Sequence, residues 1–294
     1  MRFQKLTATG NDFLFIDARE GCKTQRSHRA EIAKKICDRH FGAGADGLVF
    51  VEKVVNSPRF RWDFYNSDGS SAEMCGNAAR CMGRWLEYNL KIQEAEFETQ
   101  AGLVRSRIVA AEPENSSAKL SGNSMSPALT EVESTFGYLA LNQLVLQKIS
   151  YKARGSEHVA TLANTGVPHA VIEVANLEQR EDFAEDIQAL RFHKDSGERG
   201  CNVTFLERVS ANFFKTATHE RGVEGFTLSC GTGVLAAAVV GIGAIPAAHL
   251  APVRVETPGG TLRVRFNNGP DQSAILQGPA DLVYEGELLM RGDW

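Results

Sequence analysis

Two Cys-Gly pairs, one in each half of the chain, are the residues whose type and position best suit chemistry. Cys75-Gly76 precedes Asn77 and a helix-like segment, and Cys230-Gly231 precedes Thr232 and a second one. Asn and Thr are common helix N-caps, so each cysteine is expected just before a helix start. The helix dipole and the N–H groups of the first turn favour a thiolate there and provide a site for a carboxylate.

Two thiols on either side of one carboxylate site would support inversion at the neighbouring carbon. One thiolate removes the proton from the α-carbon, and the opposite thiol returns a proton to the other face. The N–H groups that hold the carboxylate stabilise the negative charge that develops on it once water is excluded. This chemistry needs no cofactor, and none is predicted.

The other four cysteines are interpreted as small buried apolar residues, and they are Cys22, Cys37, Cys81 and Cys201. No two of the six cysteines have Cys-x-x-Cys spacing, and no histidine cluster completes a zinc site, so no metal is predicted. Since the N-terminal residues have no apolar signal core, reduced thiols are expected.

Composition excludes several classes of protein. The 294 residues carry a net charge of −4, with no basic stripe typical of a nucleic-acid binder. The longest apolar run, from Val234 to Ile245, is too short for a membrane span and predicts a buried helix. With 43% hydrophobic and 23% charged residues, the chain is predicted to be globular rather than disordered.

Helix and strand patterns are mixed without regular β-α alternation, which predicts an α+β fold. Helices are predicted over Ser27 to Arg39, Asn77 to Leu90, Leu177 to Leu190 and Thr232 to Ile245. Strands are predicted over Phe13 to Ile16, Leu48 to Val55, Phe60 to Tyr65, Val104 to Val109, Ala170 to Val174, Val203 to Leu206 and Leu262 to Phe266.

An internal repeat indicates duplication. Residues 98–107 and 256–265 share Glu, Thr, Gly, Arg and Arg in register. The distance along the chain between the two Cys-Gly pairs equals the distance between these two segments to within three residues. A duplicated chain predicts two similar lobes that each supply one Cys-Gly pair to a shared cleft. The polar stretch from Glu112 to Pro127 is the predicted crossing, which gives one lobe of residues 1–122 plus 279–294 and another of residues 123–278.

Longer motifs surround the two Cys-Gly pairs along nearly the whole chain. They are Thr9-Gly10-Asn11-Asp12-Phe13, Asp38-Arg39-His40, Gly44-Ala45-Asp46-Gly47, Tyr65-Asn66-Ser67-Asp68-Gly69-Ser70, Glu73 to Cys81, Asn164 to His169, Cys201-Asn202-Val203, Glu220 to Gly225 and Leu228 to Gly233. Together they resemble the signatures of the diaminopimelate epimerase family of cofactor-independent amino-acid racemases and epimerases.

The resemblance implies a role for each matching position. Cys75 and Cys230 would be the acid/base thiols, and the other implied substrate-binding residues are Asn11, Asn66, Gly76, Asn77, His169, Asn202, Glu220, Arg221, Gly231 and Thr232. Backbone at the helix starts would hold the reacting carboxylate, and His169 with Glu220 would lie beside the reacting amino group. Asn11, Asn66, Asn202 and Arg221 would fix the distal ammonium and carboxylate. A guanidinium suits a carboxylate because it binds in bidentate fashion.

The same resemblance implies two similar lobes, each a curved mixed sheet around a central helix, in a cytoplasmic homodimer. Two positions depart from the family pattern. Val167 stands where many relatives have Asn, and Phe226 stands where most have Glu. The first departure would loosen substrate recognition, and the second removes a charge just before the second catalytic helix.

Competing interpretations are weaker. Gly42, Gly44 and Gly47 match a dinucleotide fingerprint by letters, but a helix precedes them and a strand follows, so a tight turn is predicted. His169 could instead activate a cysteine in a thiol hydrolase, or be a turn residue. Three functions stay open: a diaminopimelate epimerase, an epimerase of another amino acid such as a proline-type substrate, and a non-catalytic binding protein of the same fold.

Overall fold

The chain divides into two units by its internal contacts. One is Met1–Tyr138 with Gly278–Trp294, and the other is Leu139–Gln277. The computed structural model describes residues 1–21, 25–110, 130–140, 144–243, 251–266 and 273–289. The predicted crossing over Glu112 to Pro127 and its boundary after residue 122 lie outside the described residues, as does Cys22.

The first unit is built on a mixed sheet. Its elements in chain order are β1 (Arg2–Ala8), β2 (Asn11–Asp17), α1 (Arg29–Cys37), β3 (Gly47–Lys53), β4 (Phe60–Asn66), α2 (Gly76–Leu90), β5 (Glu94–Thr99), β6 (Gly102–Val109) and β7 (Thr130–Ala140). Strands β1–β2, β3–β4, β5–β6 and β6–β7 pair antiparallel, whereas β2–β3 and β4–β5 pair parallel. A 3₁₀ turn, Arg26–His28, precedes α1.

The second unit repeats that order. Its elements are β8 (Gln147–Ala153), β9 (Ser156–Asn164), β10 (Pro168–Val174), α3 (Ala184–Arg191), β11 (Asn202–Ser210), β12 (Phe213–Glu220), β13 (Gly225–Phe226), α4 (Gly231–Ile242), β14 (Val253–Thr257), β15 (Gly260–Phe266) and the start of β16 (Ser273–Glu287), whose residues from Gly278 onward belong to the first unit. From β9 onward the pairs run antiparallel, parallel, antiparallel, parallel and antiparallel, as they do from β1. The last strand, β16, pairs with β15 and, farther along, with β1.

The ten-residue sequence repeat is one hairpin used twice. Thr99 pairs with Gly102 at the turn between β5 and β6, and Thr257 pairs with Gly260 between β14 and β15. Each threonine hydroxyl donates to the carbonyl of its glycine, at 2.7 and 2.8 Å. Both glycines have φ above +120°, 129° and 137°, which side chains rarely tolerate and which explains why glycine recurs.

One long helix in each unit packs onto the strands of that unit. Helix α2 contacts β1, β2, β5 and β6, and α4 contacts β10, β11, β12 and β15. Most of α2 is buried, and Val234 to Val239 of α4 are all buried, as an apolar sequence without a polar face requires. These two helices begin at the two Cys-Gly pairs, so the packing of each unit fixes where its cysteine lies.

The remaining predicted elements are present with shifted ends. The segment predicted as one helix from Leu177 to Leu190 is a 3₁₀ segment, Leu177–Phe183, followed by α3, with non-helical dihedral angles at Gln179. The glycines after α1 form a turn, in which Gly42 N–H donates to Asp38 and Gly44 N–H to Ile36, before β3 begins. The tight turn predicted there is confirmed.

Candidate active site

Cys75 and Cys230 are the N-cap residues of the two long helices, α2 and α4. Each has extended dihedral angles, −147° and 121° for Cys75 and −114° and 109° for Cys230, and each carbonyl accepts the first helical hydrogen bond at 2.9 Å. The sequence predicted Asn77 and Thr232 as N-caps, and that prediction is wrong. The cysteines hold that position themselves, which brings the sulfurs closer to the unbonded N–H groups of the first turn.

The first turns have the composition expected of an anion site. Gly76 and Gly231 are the first helical residues, and Asn77 and Thr232 follow them. The first N–H groups of a helix have no partner within it, so they are available to a carboxylate. All four residues named for the reacting carboxylate therefore lie where backbone N–H groups can serve that purpose.

In the first unit, the buried side chain of Asn77 is held by an amide network. Its carbonyl oxygen accepts from Arg80 at 2.7 Å and from the hydroxyl of Thr9 at 3.3 Å, and its amide donates to the Oδ1 of Asn11. The amide of Asn11 donates in turn to Asp46 at 3.0 Å. A hydrogen bond thus joins Asn11 to Asn77, which lies two residues after Cys75.

Asn66 lies at the end of β4, in a turn of its own. Its side-chain amide donates to the Ser70 hydroxyl at 2.9 Å, and its backbone N–H donates to the Ser70 carbonyl. Its side chain is exposed. The contacts described for Asn66 hold this turn in shape and do not join it to the network of Asn77.

In the second unit, His169 is the centre of the site network. The ring is fully buried, with Nδ1 2.9 Å from the Thr204 hydroxyl and Nε2 2.9 Å from the Thr232 hydroxyl. Burial, with a smaller effect of the Arg221 charge, lowers the pKa of His169 to about 3. His169 is therefore neutral at physiological pH and acts as a hydrogen-bonding group rather than as a proton carrier.

The tautomer of His169 follows from its neighbour Asn202. The Oδ1 of Asn202 accepts from the backbone N–H of Arg221 at 2.9 Å, so its amide nitrogen is the atom 3.3 Å from Nε2 of the ring. Because an amide nitrogen can only donate, Nε2 accepts, and the single proton of the neutral ring is on Nδ1. The hydroxyl of Thr232 then donates to Nε2 as well.

This arrangement disfavours the thiol-hydrolase interpretation. A hydrolase histidine must take a proton from its cysteine, whereas Nε2 of His169 is occupied by Asn202 and Thr232. The Sγ of Cys230 lies 3.4 Å from the hydroxyl of Thr232, so a threonine separates ring and thiol.

Glu220 and Arg221 lie at the turn between β12 and β13. Glu220 accepts from the Thr227 hydroxyl at 2.5 Å, and the guanidinium of Arg221 donates to the Gly200 carbonyl at 3.1 Å. The turn is held by Glu224, whose carboxylate accepts from Arg191 at 2.6 and 3.1 Å. The hydrogen bonds from Arg191 lower the pKa of Glu224 to about 2, so this pair persists through the physiological range.

Three other cysteines are confirmed as buried apolar residues. Cys37, Cys81 and Cys201 are at most 2% exposed, and burial raises the pKa of each thiol, to about 12 for Cys37. None is a proton carrier at neutral pH. Among the residues that the structure describes, no group of acidic, histidine and cysteine side chains could hold a metal ion, and no helix is long and apolar enough to cross a membrane.

Several supporting residues were not anticipated from the sequence. Thr204 and Thr218 share a hydrogen bond of 3.1 Å behind His169, and the Thr165 hydroxyl donates to the Thr232 carbonyl at 2.7 Å. Arg80 donates to Asn77 and Thr9 in the first unit, and Arg191 donates to Glu224 in the second. Arg80 had a detectable signal, because it is the one charged residue in the stretch from Gly76 to Gly83.

Known proteins match this arrangement in sequence. A family model described as diaminopimelate epimerase matches residues 3–124 and 161–283. A diaminopimelate epimerase from Aquifex aeolicus is 35% identical, with 98% of each chain covered. The chain belongs to the diaminopimelate epimerase family. A second member, from Methanocella arvoryzae, is also 35% identical over 98% of this chain and 96% of its own.

A solved structure shows the same fold at lower identity. A hydroxyproline epimerase from Agrobacterium vitis, with trans-4-hydroxy-L-proline bound, aligns with a TM-score of 0.63 at 14% identity, covering 97% of this chain and 91% of its own. At that identity the likeness establishes a common fold and nothing more. The family match, rather than this likeness, separates a diaminopimelate epimerase from an epimerase of cyclic amino acids.

Proposed function

We propose that this protein interconverts LL- and meso-diaminopimelate by two-thiol proton transfer at the α-carbon, as an isomerase of lysine and peptidoglycan precursor biosynthesis. The observation that carries the proposal is the placement of Cys75 and Cys230 at the first positions of two corresponding helices. Family membership supplies the substrate, and the helix starts supply the electrostatics of the reaction.

The reacting carboxylate is held by the N–H groups of the first turns of α2 and α4. When one sulfur removes the α-proton, negative charge moves onto that carboxylate, and the same N–H groups stabilise it. The other sulfur returns a proton to the opposite face. We assign the binding of the distal groups to Asn11, Asn66, Asn202 and Arg221.

His169 and Glu220 are proposed to face the reacting amino group. Neutral His169 suits this role, because a protonated ring would repel a substrate ammonium in a buried site. Its hydrogen bonds to Thr204 and Thr232 hold the ring at one orientation. No step of the mechanism requires a cofactor.

The finer features of the architecture are part of the same proposal. We infer that the two units arose by duplication and that each is a curved sheet around its long helix, because the strand pairings and the hairpins correspond. We keep lobes of residues 1–122 plus 279–294 and of residues 123–278 as the proposed limits of the duplication, although the units defined by internal contacts extend the first one to Tyr138. A homodimeric, cytoplasmic enzyme is inferred from the family.

The proposal is tested by incubating the protein with LL-diaminopimelate in heavy water. Deuterium should enter the α-position, and the meso isomer should appear at the same time. Alanine and L-proline, which lack a distal ammonium and carboxylate, serve as controls and should not exchange. Comparable exchange of proline would assign the protein to another substrate class. If no substrate exchanged its α-proton, the remaining interpretation would be a non-catalytic binding protein of the same fold.

The distal site is tested separately with Arg221→Lys. A single ammonium cannot reproduce the fork of a guanidinium, so KM for diaminopimelate should rise about tenfold or more. An unchanged KM would remove Arg221 from the distal site without affecting the assignment of the thiols.

A further inference from the structure

A buried arginine lies on the helix that begins at the first thiol, and the helix that begins at the second thiol has no counterpart. The guanidinium of Arg80, on α2, is fully buried. It donates to the Gly76 carbonyl at 3.3 Å, to Oδ1 of Asn77 at 2.7 Å and to the Thr9 hydroxyl at 2.9 Å. All three acceptors are uncharged, and Nε has no hydrogen-bond partner among the described residues.

Such a charge is costly unless an anion balances it. Burial lowers the pKa of Arg80 to about 10, while Cys81, Cys75 and Glu131, in decreasing order, raise it. Arg80 is therefore still charged at neutral pH. Burial holds the pKa of Cys81 far above neutrality, so Cys75 is the thiol beside Arg80 that can carry the balancing charge.

Two other charged groups that face α2 have partners of their own. Asp12 on β2 is 2.6 Å from the ammonium of Lys5, and Asp281 on β16 is 3.7 Å from Arg84. Glu131 on β7 is buried and, after Cys81 and Cys75, also raises the pKa of Arg80.

The start of α4 differs from the start of α2 in its charged residues and in the hydrogen bond that its thiol makes. The position that corresponds to Arg80 is Leu235, and α4 contains no charged residue. Since the hydroxyl of Thr232 donates to the neutral His169, its oxygen is left to accept a hydrogen from Sγ of Cys230, 3.4 Å away. That hydrogen bond favours the protonated thiol at Cys230.

We propose that Arg80 is a positioning residue whose buried charge balances a thiolate at Cys75, so that in the resting enzyme Cys75 is the base and Cys230 the acid. The inference rests on the proposed roles of the two thiols. It also assigns Arg80 the task of orienting Asn77, whose amide then faces Asn11. The isomer whose α-proton faces Cys75 reacts directly with the resting form, and the other isomer reacts after the proton between the thiols has been redistributed.

The test is the pH dependence of alkylation at each thiol in the substrate-free protein. Iodoacetamide labelling at Cys75 and Cys230 is followed by peptide mass spectrometry from pH 5 to 10. The midpoint for wild-type Cys75 should lie at least about one pH unit below that for Cys230. Equal midpoints, or a lower one at Cys230, would overturn the proposal without any variant.

Substitutions then assign the effect to Arg80. Arg80→Met should raise the Cys75 midpoint by about one unit or more and leave Cys230 unchanged, whereas Arg80→Lys should keep most of the wild-type value. Arg84→Met is the matched control, because Arg84 is on the same helix and is paired with Glu87 and Asp281. A folded Arg80→Met protein with the wild-type Cys75 midpoint would refute the role of Arg80.

The outcome is separable from the proposed function. If Cys75→Ala or Cys230→Ala keeps wild-type epimerisation, the two-thiol mechanism fails whatever the alkylation shows. If both thiols are required but their midpoints coincide, only the role of Arg80 fails. If Arg80→Met does not fold, as judged by circular dichroism, the alkylation midpoints of Cys75 and Cys230 in the wild type decide whether Cys75 is the base.

Discussion

Gly233, in the first turn of α4, is predicted to be required by the space around the second thiol. A Cβ added there would lie 2.5 Å from Oγ1 of Thr218 and 3.3 Å from both Cβ of Cys230 and Cε1 of His169. Thr218 cannot withdraw alone, because its hydroxyl is bonded to Thr204, which is bonded to His169. Gly233→Ala should therefore displace the groups that hold the reacting centre.

The expected effect on stability is small. Overpacking a buried site costs about 1–3 kcal/mol. Alanine recovers about 1 kcal/mol of helix propensity relative to glycine. The free energy of unfolding should therefore fall by roughly 0–2 kcal/mol.

The expected effect on catalysis is larger. Relieving the contact requires a movement of somewhat less than ~1 Å, and a misplacement of that size can cost about a hundredfold in rate. We predict that kcat/KM for diaminopimelate falls at least about tenfold, with most of the loss in kcat, because the reacting groups are displaced rather than removed.

The assay is steady-state epimerisation together with a denaturant titration of the same protein. Ala78→Gly is the matched control, because Ala78 occupies the corresponding position after Cys75. It should lose about 1–2 kcal/mol of stability and keep kcat/KM within about threefold. Wild-type kcat/KM in Gly233→Ala, with unchanged or higher stability, would show that the threonine network yields and would refute the argument.

Three further predictions concern groups around the site of the second unit. Because the pKa of His169 is lowered to about 3 in the folded protein, the stability that the neutral ring contributes is complete above about pH 6.5 and is lost as the pH falls. Between pH 7 and 5 the free energy of unfolding of the wild type should therefore drop by about 2 kcal/mol more than that of His169→Gln. An equal drop in both proteins, measured by denaturant titration, would contradict this. Phe226 packs against Phe205 and His219, with ring centroids 5.9 and 5.7 Å apart, so Phe226→Glu should lower Tm and leave turnover within about tenfold; a hundredfold faster mutant would mark a redirected site. Arg191→Met should release the turn that Glu224 holds and raise KM more than it lowers kcat, whereas an unchanged KM would make that ion pair purely structural.

The catalytic helices were predictable because their sequences are unambiguous. The apolar run after Cys230 predicts a buried helix, and the apolar residues after Cys75 recur with the period of a helix. The repeated hairpin was visible because a positive φ restricts its turn to glycine at Gly102 and Gly260. The strand order within each unit was not predictable from these signals, because parallel pairing depends on contacts between distant segments.

Several strands were missed for local reasons. The sequence of β5 is dominated by charged residues, and only Phe97 is fully buried in it. Gly278 and Pro279 interrupt the pattern of β16, so that a turn signal hides a 15-residue strand. In β8, Ile149, Tyr151 and Ala153 alternate with exposed residues, and this signal was available.

The sequence offers candidate site residues but not the hydrogen bonds that connect them. The helix start at Cys230 was expected from sequence, whereas the hydrogen-bond network that orients His169 depends on Thr204 and Thr218 from strands β11 and β12. Threonine is common in strands, so nothing in the sequence distinguishes these two from surface residues. The N-caps were misassigned because a cysteine is an uncommon residue at that position.

The most direct test of the account is the requirement for both thiols. Epimerisation of LL-diaminopimelate in heavy water is measured for the wild type, Cys75→Ala and Cys230→Ala, with Cys201→Ala as a buried-thiol control. We predict deuterium incorporation and isomer interconversion in the wild type and the control, and a loss of at least about a hundredfold in each of the two site variants, because each removes the proton carrier of one face. Near-wild-type interconversion by either site variant would contradict the two-thiol mechanism.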